Sequence, residues 1–93
     1  MYSYKLTFEA EQDITRIFEY GLNRFGLKQA EKYYDMLFAC FNKIASHPLM
    51  FPKAGHLKND YRYCVCGVDA IYYKINGEVI EIITIIGRQV FPK

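Results

Sequence analysis

The side chains best suited to chemistry gather in the C-terminal half of the chain. Arg62, Lys74 and Arg88 are cations, and Tyr61, Tyr63 and Tyr72 are phenols close to them in sequence. Metal-free cleavage of RNA asks for this mixture: a base for the 2′-hydroxyl, an acid for the leaving oxygen, and cations for the phosphate. The residue types are present, but no fixed spacing joins them into a motif. An Arg or Lys on an exposed strand is ordinarily solvated, and Tyr at such positions ordinarily packs. Gly55, Gly67, Gly77 and Gly87 are isolated, so there is no phosphate-cradling loop. Ser3 and Ser46, the only serines, lie in no nucleophile elbow. His47, beside Pro48 at a helix end, reads as a cap or loop residue, and His56 as a loop residue. Cys40, Cys64 and Cys66 form an odd set. Cys64-Val65-Cys66 places two thiols on one face of a strand, where a disulfide seldom fits, and no second ligand pair completes a zinc site. Residue chemistry alone therefore disfavours a metal site and gives no enzyme.

The chain has 93 residues, of which 52% are hydrophobic and 24% charged, with nine Tyr and no Trp. That composition excludes disorder, and the length allows one domain with one compact core. Residues 1–47 balance six basic against six acidic groups. Residues 48–93 carry six basic (Lys53, Lys58, Arg62, Lys74, Arg88, Lys93) against four acidic, which accounts for the net charge of +2. So mild a surplus gives nucleic acid little support as a partner. Unpaired thiols fit a cytoplasmic location. The start, MYSYKLTFEA, has no basic n-region or long apolar run, so no signal peptide is expected, and no segment approaches the ~20 apolar residues of a membrane span.

These groups need elements to position them. Tyr2, Tyr4, Leu6 and Phe8 alternate with polar residues, as in a half-buried strand. The period then lengthens. Ile14, Ile17, Phe18, Leu22 and Phe25 recur at helical spacing behind Glu9, Glu11 and Asp13, and Gly26 suits a helix C-terminus, which predicts a helix over about 10–25. Ala30, Tyr33, Tyr34, Leu37, Phe38, Phe41, Ile44 and Ala45 line a second helix over about 28–46, stopped by Pro48. The short link makes the pair an antiparallel hairpin. Residues 48–60 read as a loop and Tyr61–Cys66 as a strand. A hairpin of strands over about 70–75 and 78–86 follows, with Asn76-Gly77 as its turn. The order β-α-α-β-β-β predicts an α+β domain, a helical hairpin packed on one face of an antiparallel-rich sheet.

With Asn76-Gly77 as a two-residue loop, Ile75 lies opposite Glu78, Tyr73 opposite Ile80 and Ile71 opposite Ile82. Ile71, Tyr73, Ile75, Ile80 and Ile82, with Thr84 and Ile86 beyond, then face the helices. Tyr72, Val79, Ile83 and Ile85 surround a diagonal Lys74–Glu81 pair on the other face. Too little chain remains to cover that face unless the loop 48–60 folds over it, so it is expected to be a protein interface.

The layout and several ordered pieces resemble the ParE family of toxins from bacterial ParDE toxin–antitoxin modules. YKLTFEAEQDITRIFEY is similar to the family's first strand followed by "A..DL..I..Y". RFGLKQAEKYYDML is similar to "rwG..qA..Y...l", with Phe25-Gly26, Gln29-Ala30 and Tyr33 matching. Ile44-Ala45-Ser46-His47-Pro48 resembles "lA..P", Tyr61-Arg62 "yR", Ile71-Tyr72-Tyr73-Lys74 "IfYr", and Ile80 to Ile86 "I.I.RIlh". The likeness runs over nearly the whole chain, and its specificity lies in the order of the pieces. There are departures. Asp69 stands where relatives often carry His, Thr84-Ile85-Ile86-Gly87 replaces "RIlH" without its Arg or His, the loop after helix two is stretched, and the tail ends at Phe91-Pro92-Lys93. These bear on target binding more than on fold.

The resemblance implies a toxin that blocks DNA gyrase by binding, with no cofactor and no catalysis of its own. It also implies neutralisation by a ParD-like antitoxin in a hetero-oligomer. DNA binding would belong to the antitoxin's ribbon-helix-helix rather than to this chain, and no membrane is involved. Antitoxin contact is expected at Tyr72, Lys74, Val79, Ile83 and Ile85, with exposed parts of the helical hairpin as a further candidate. Target contact is expected near Arg62, Arg88 and Lys93. The alternatives are a RelE-like ribosome-dependent mRNA endonuclease, which shares the scaffold but uses a strongly basic face, and an inactive module member that only binds antitoxin.

Overall fold

The computed structural model describes residues 2–55 and 60–87. Strand β1 (Ser3–Leu6) leads into helices α1 (Phe8–Phe25) and α2 (Leu27–Ser46), followed by strands β2 (Tyr61–Cys66), β3 (Asp69–Asn76) and β4 (Val79–Gly87). The sheet runs β1-β4-β3-β2, antiparallel except for the parallel pairing of β1 with β4. The expected α+β order is found. Both helices lie on one face, where Ala10, Ile14, Leu37, Phe41 and Ile44 pack with Cys64, Cys66, Ile71, Tyr73, Ile80, Ile82 and Ile85.

The switch from strand to helix rests on Thr7. Its backbone N–H donates to the Ile82 carbonyl at 3.1 Å, continuing the sheet by one step. Its hydroxyl accepts from the Ala10 N–H as the α1 N-cap and donates to the Ile83 carbonyl. The helix thus starts earlier than the sequence pattern shows, and Phe8, expected to alternate inward, opens α1 at 73% exposed. At the other end Gly26 (φ +93°) closes α1 through Leu22 and opens α2 through Ala30, so one residue serves both helices. His47 caps α2, donating its backbone N–H to Lys43.

The hairpin register differs from the one expected. Asn76 pairs with Val79, Ile75 with Ile80 and Tyr73 with Ile82, so the loop is Gly77-Glu78. Gly77 has φ +65° and no non-glycine described residue has positive φ, which suits a turn with glycine at the first central position rather than one needing Asn76 in the left-handed region. The expected pairing is off by two residues. Because strand faces repeat every two, Ile71, Tyr73, Ile75, Ile80 and Ile82 keep their inward face. Lys74 and Glu81 become directly opposed, with Lys74 Nζ 3.9 Å and Lys5 Nζ 3.6 Å from the Glu81 carboxylate.

A second irregularity does change faces. Between Tyr72 and Tyr73 the register slips by one, so that Tyr72 meets Thr84 while Tyr73 meets Ile82, leaving Ile83 as the extra residue of a bulge. Beyond it Ile71 pairs with Ile85 and Ala70 with Ile86. Ile85, expected on the open face, is therefore fully buried in the core, and Thr84 and Ile86, expected inward, are not.

The bulge is held by side chains of α1. Asp13 accepts from the Thr84 hydroxyl at 2.7 Å, from the Ile85 N–H at 2.9 Å and from Arg16, which also donates to the Ile85 carbonyl. The Asp13→Ala variant loses these bonds and strands the Ile85 N–H. It is expected to lower stability by about 2–3 kcal/mol, read as a fall in urea midpoint, whereas Thr84→Val is expected to cost only about 1 kcal/mol.

Candidate functional site

The sheet face away from the helices carries Tyr61 and Tyr63 of β2, Tyr72 and Lys74 of β3, and Val79, Glu81 and Ile83 of β4, all half-buried. None of the described elements packs across it. The Tyr63 and Tyr72 rings, opposite each other on β2 and β3, lie 5.8 Å apart at 31°. Four of the five residues expected for antitoxin contact, Tyr72, Lys74, Val79 and Ile83, share this face, and Ile85 does not. The loop after α2 leaves it open as far as the loop is described. Residues 52–54 run instead along the β2 edge, through Ala54 N–H to Tyr61 (2.7 Å) and Tyr63 N–H to Pro52 (3.1 Å).

Arg62, expected at the target surface, points to the helix side. Its guanidinium donates to the Phe51 carbonyl at 2.6 Å and pins the loop. Phe51 in turn stacks edge-on against Tyr73, whose hydroxyl donates to the Pro48 carbonyl. Arg88 and Lys93, like His56 and Lys58, lie outside the described residues.

The helical hairpin holds a second surface. Tyr20, Leu22, Phe25, Leu27 and Tyr34 are 39–64% exposed, although they continue the apolar patterns of their helices. Beside them opens an apolar groove of about 530 Å³, walled by Ile17, Phe18 and Tyr34 of the helices and closed by Val68, Asp69 and Gly87 at one end of the sheet. The aromatic row continues inward through edge-on or tilted contacts from Phe18 to Tyr34, Phe38 and Phe41.

Polar groups at the groove end are satisfied. Tyr33 donates its hydroxyl to Asp69 at 2.5 Å, with the Cys66 carbonyl 3.0 Å away, and accepts from the Val68 N–H at 3.2 Å. Asp69 is only 3% exposed. Gly67 makes the arrangement possible. Its φ is +61°, and a Cβ there would sit 2.8 Å from the Tyr33 ring and hydroxyl. Burial, then the hydrogen bond and charge of Asp69, hold the Tyr33 phenol far above its usual range. Burial likewise pushes Tyr73 up to about 12 and Cys64 up to about 11. These groups are arranged to stay protonated, which suits packing and not proton transfer.

Comparisons with known proteins match this sequence and this topology. A profile described as "ParE toxin of type II toxin-antitoxin system, parDE" fits residues 4–89. The chain belongs to the ParE toxin family. Among relatives, it is 34% identical to "Toxin ParE1" of Caulobacter vibrioides over 89 residues, covering 96% of this chain and 92% of the relative. It is 23% identical to "Toxin ParE1" of Mycobacterium tuberculosis over 87 residues, 92% and 89% of the two chains. A solved structure of the "Chromosomal ParDE TA system from P. aeruginosa" superposes with a TM-score of 0.82 over 94% of this chain and 96% of that one, at 17% identity, a likeness of fold. No described helix is long and apolar enough to cross a membrane.

Two of the positions at which departures from the ParE pattern were expected have structural roles: Asp69 accepts the Tyr33 hydroxyl, and Thr84 donates to Asp13. The groove is the surface that sequence reading missed in detail. Its signal was present in Tyr20, Phe25 and Tyr34, which continue the helical apolar patterns yet stay exposed along it.

The raised phenol and thiol groups set an alkaline limit. In the unfolded chain Cys ionises from 9.0 and Tyr from 10.0, while the folded chain holds Cys64 and Tyr73 protonated to about 11 and 12. The unfolded state loses protons first, so stability is complete below pH of about 9 and falls as pH rises toward 12. Urea midpoints measured from neutral to alkaline pH should show this decline. Tyr33→Phe should flatten it and cost about 1–2 kcal/mol at neutral pH, because the buried Asp69 loses its donor.

Proposed function

We propose that this ParE-family chain is the toxin of a type II module, acting in the cytoplasm by binding DNA gyrase and held inactive by a ParD-like antitoxin. One observation carries the reading: a small domain exposes two surfaces rich in apolar side chains, the groove of the helical hairpin and the Tyr72–Ile83 sheet face, while the buried side-chain polar groups among the described residues are satisfied internally. Such surfaces ordinarily belong under a partner. A binding toxin needs no catalytic residues; of the candidate tyrosines and cations, Tyr61, Tyr63, Tyr72 and Lys74 share the open sheet face, whereas Arg62 turns away from it to the Phe51 carbonyl.

Antitoxin would cover the hairpin groove around Tyr34 and Phe25 and extend over Tyr72, Lys74, Val79 and Ile83. Target contact, on charge alone, falls to Arg88 and Lys93, since Arg62 is spent on the Phe51 carbonyl. Two measurements test the whole. Purified chain should inhibit gyrase supercoiling, and the product of a co-encoded ribbon-helix-helix gene should relieve the inhibition; absence of both gyrase inhibition and growth arrest on expression would sink the toxin reading. In a binding titration with that antitoxin, Tyr34→Asp and Ile83→Asp should each weaken affinity by about tenfold or more, since each places a charge in an apolar contact. Unchanged affinity for one of them removes its surface from the interface. Cleavage of mRNA in a translation reaction, lost on changing Arg88, would favour the endonuclease reading instead.

A further inference from the structure

The three cysteines are the one chemically distinctive group that neither surface uses. They come from distant parts of the chain to a single place. Cys64 and Cys66 alternate along β2 on its buried face, 4% and 2% exposed. Cys40 is half-buried on α2, one helical turn beyond Met36. The Cys66 thiol donates to the Met36 carbonyl with Sγ 3.7 Å from the oxygen, which sets it against that turn of the helix. Within α2 the Met36 carbonyl is the i−4 partner of the Cys40 N–H, so the Cys66 thiol stands beside the turn that carries Cys40, and Cys40 packs against the buried cluster that holds Cys64 and Cys66. Free thiols packed this way across a helix–strand seam satisfy the first requirement of a disulfide, which is proximity without unfolding.

We propose that this cluster is a thiol-oxidation site, at which a low-molecular-weight disulfide such as glutathione disulfide joins Cys40 to Cys66 and ties α2 to β2. Cys40 is the point of entry because it alone reaches solvent. Its thiolate attacks one sulfur of glutathione disulfide, forming a mixed disulfide and releasing one glutathione. Cys66 then attacks the Cys40 sulfur as its proton passes through solvent to the second glutathione, which leaves as a thiol. The protein loses two hydrogens and two electrons, and glutathione disulfide becomes two glutathione thiols, so the exchange balances. Burial holds Cys64 and Cys66 well above the usual thiol range, so exchange starts at Cys40 and the closing attack by Cys66 is the slow step. Cys64 and Cys66 do not pair with each other. Two residues apart on an extended strand, their side chains run parallel, which keeps the Cβ atoms about 6–7 Å apart, beyond the ~4 Å a disulfide needs.

The bond would brace the seam at the base of the groove, because Cys66 lies next to Gly67 and its carbonyl faces the Tyr33 hydroxyl. The test uses the folded, full-length chain incubated with glutathione disulfide, alkylated under denaturing conditions and mapped by mass spectrometry without reduction. The expected result is a Cys40–Cys66 peptide pair, with Cys64 alkylated and a raised unfolding temperature that dithiothreitol reverses. Cys40→Ser should abolish the pair, and Cys64→Ala should retain it. Three alkylated thiols after incubation, a bridge from Cys64 to either neighbour, or a bridge that forms only in guanidinium would each overturn the proposal. The map of the unsubstituted chain decides the matter even if a variant folds poorly.

Discussion

The shortness of β1 is the constraint to which the rest of the structure answers. Four residues pair with β4 and stop at Ile82, leaving the second half of β4 without a strand along that edge. An open edge there would leave backbone groups beside the core unpaired and offer a template for association. The chain solves this by turning at once into α1 and spending that helix's polar side chains on the edge. Thr7 takes the Ile83 carbonyl, Asp13 the Ile85 N–H, and Arg16 the Ile85 carbonyl. The helix is placed by hydrogen bonds as well as by apolar packing. The bulge at Ile83 sits where strand support gives way to helix support.

The fold was legible because it depends on periods. The change from alternation at Tyr4 and Leu6 to helical spacing at Ile14 and Ile17, the glycine at 26 and the proline at 48 locate the elements within a few residues. Register was less legible, and its two errors differ in kind. A two-residue error at Gly77 moved partners but no faces. The bulge moved faces, burying Ile85. Its only trace in the sequence is Ile82-Ile83-Thr84-Ile85-Ile86, where paired isoleucines break the alternation without saying which residue is extra. The choice is made by Asp13, about seventy residues away, through a contact that no local pattern encodes.

The candidate surfaces divide in the same way. Tyr72, Lys74, Val79 and Ile83 could be assigned to the open sheet face by parity. The groove could not be outlined so simply, because its end is built by Tyr33 and Asp69 from different elements and depends on the missing side chain of Gly67. Its length follows from geometry. Twenty helical residues of α2 extend about 30 Å, whereas the six residues of β2 beneath it extend about 20 Å. The helices outrun the strand, and their apolar stripes continue past the core into solvent. Apolar periodicity marks a face, but not whether another part of the same chain lies under it.

The joint at Gly26 has a consequence for how such a surface can diversify. Because one residue both ends α1 and begins α2, the hairpin has no slack between its arms. Adding or deleting a residue there would turn α2 by about 100° and carry Tyr33 away from Asp69, with loss of the seam below. Side chains at the tip, among them Tyr20, Leu22, Phe25 and Leu27, answer to no internal neighbour of comparable strictness. Mutation is thus channelled: the tip can change its composition freely while its length stays fixed, so the scaffold can acquire new pairing preferences without first relearning how to fold.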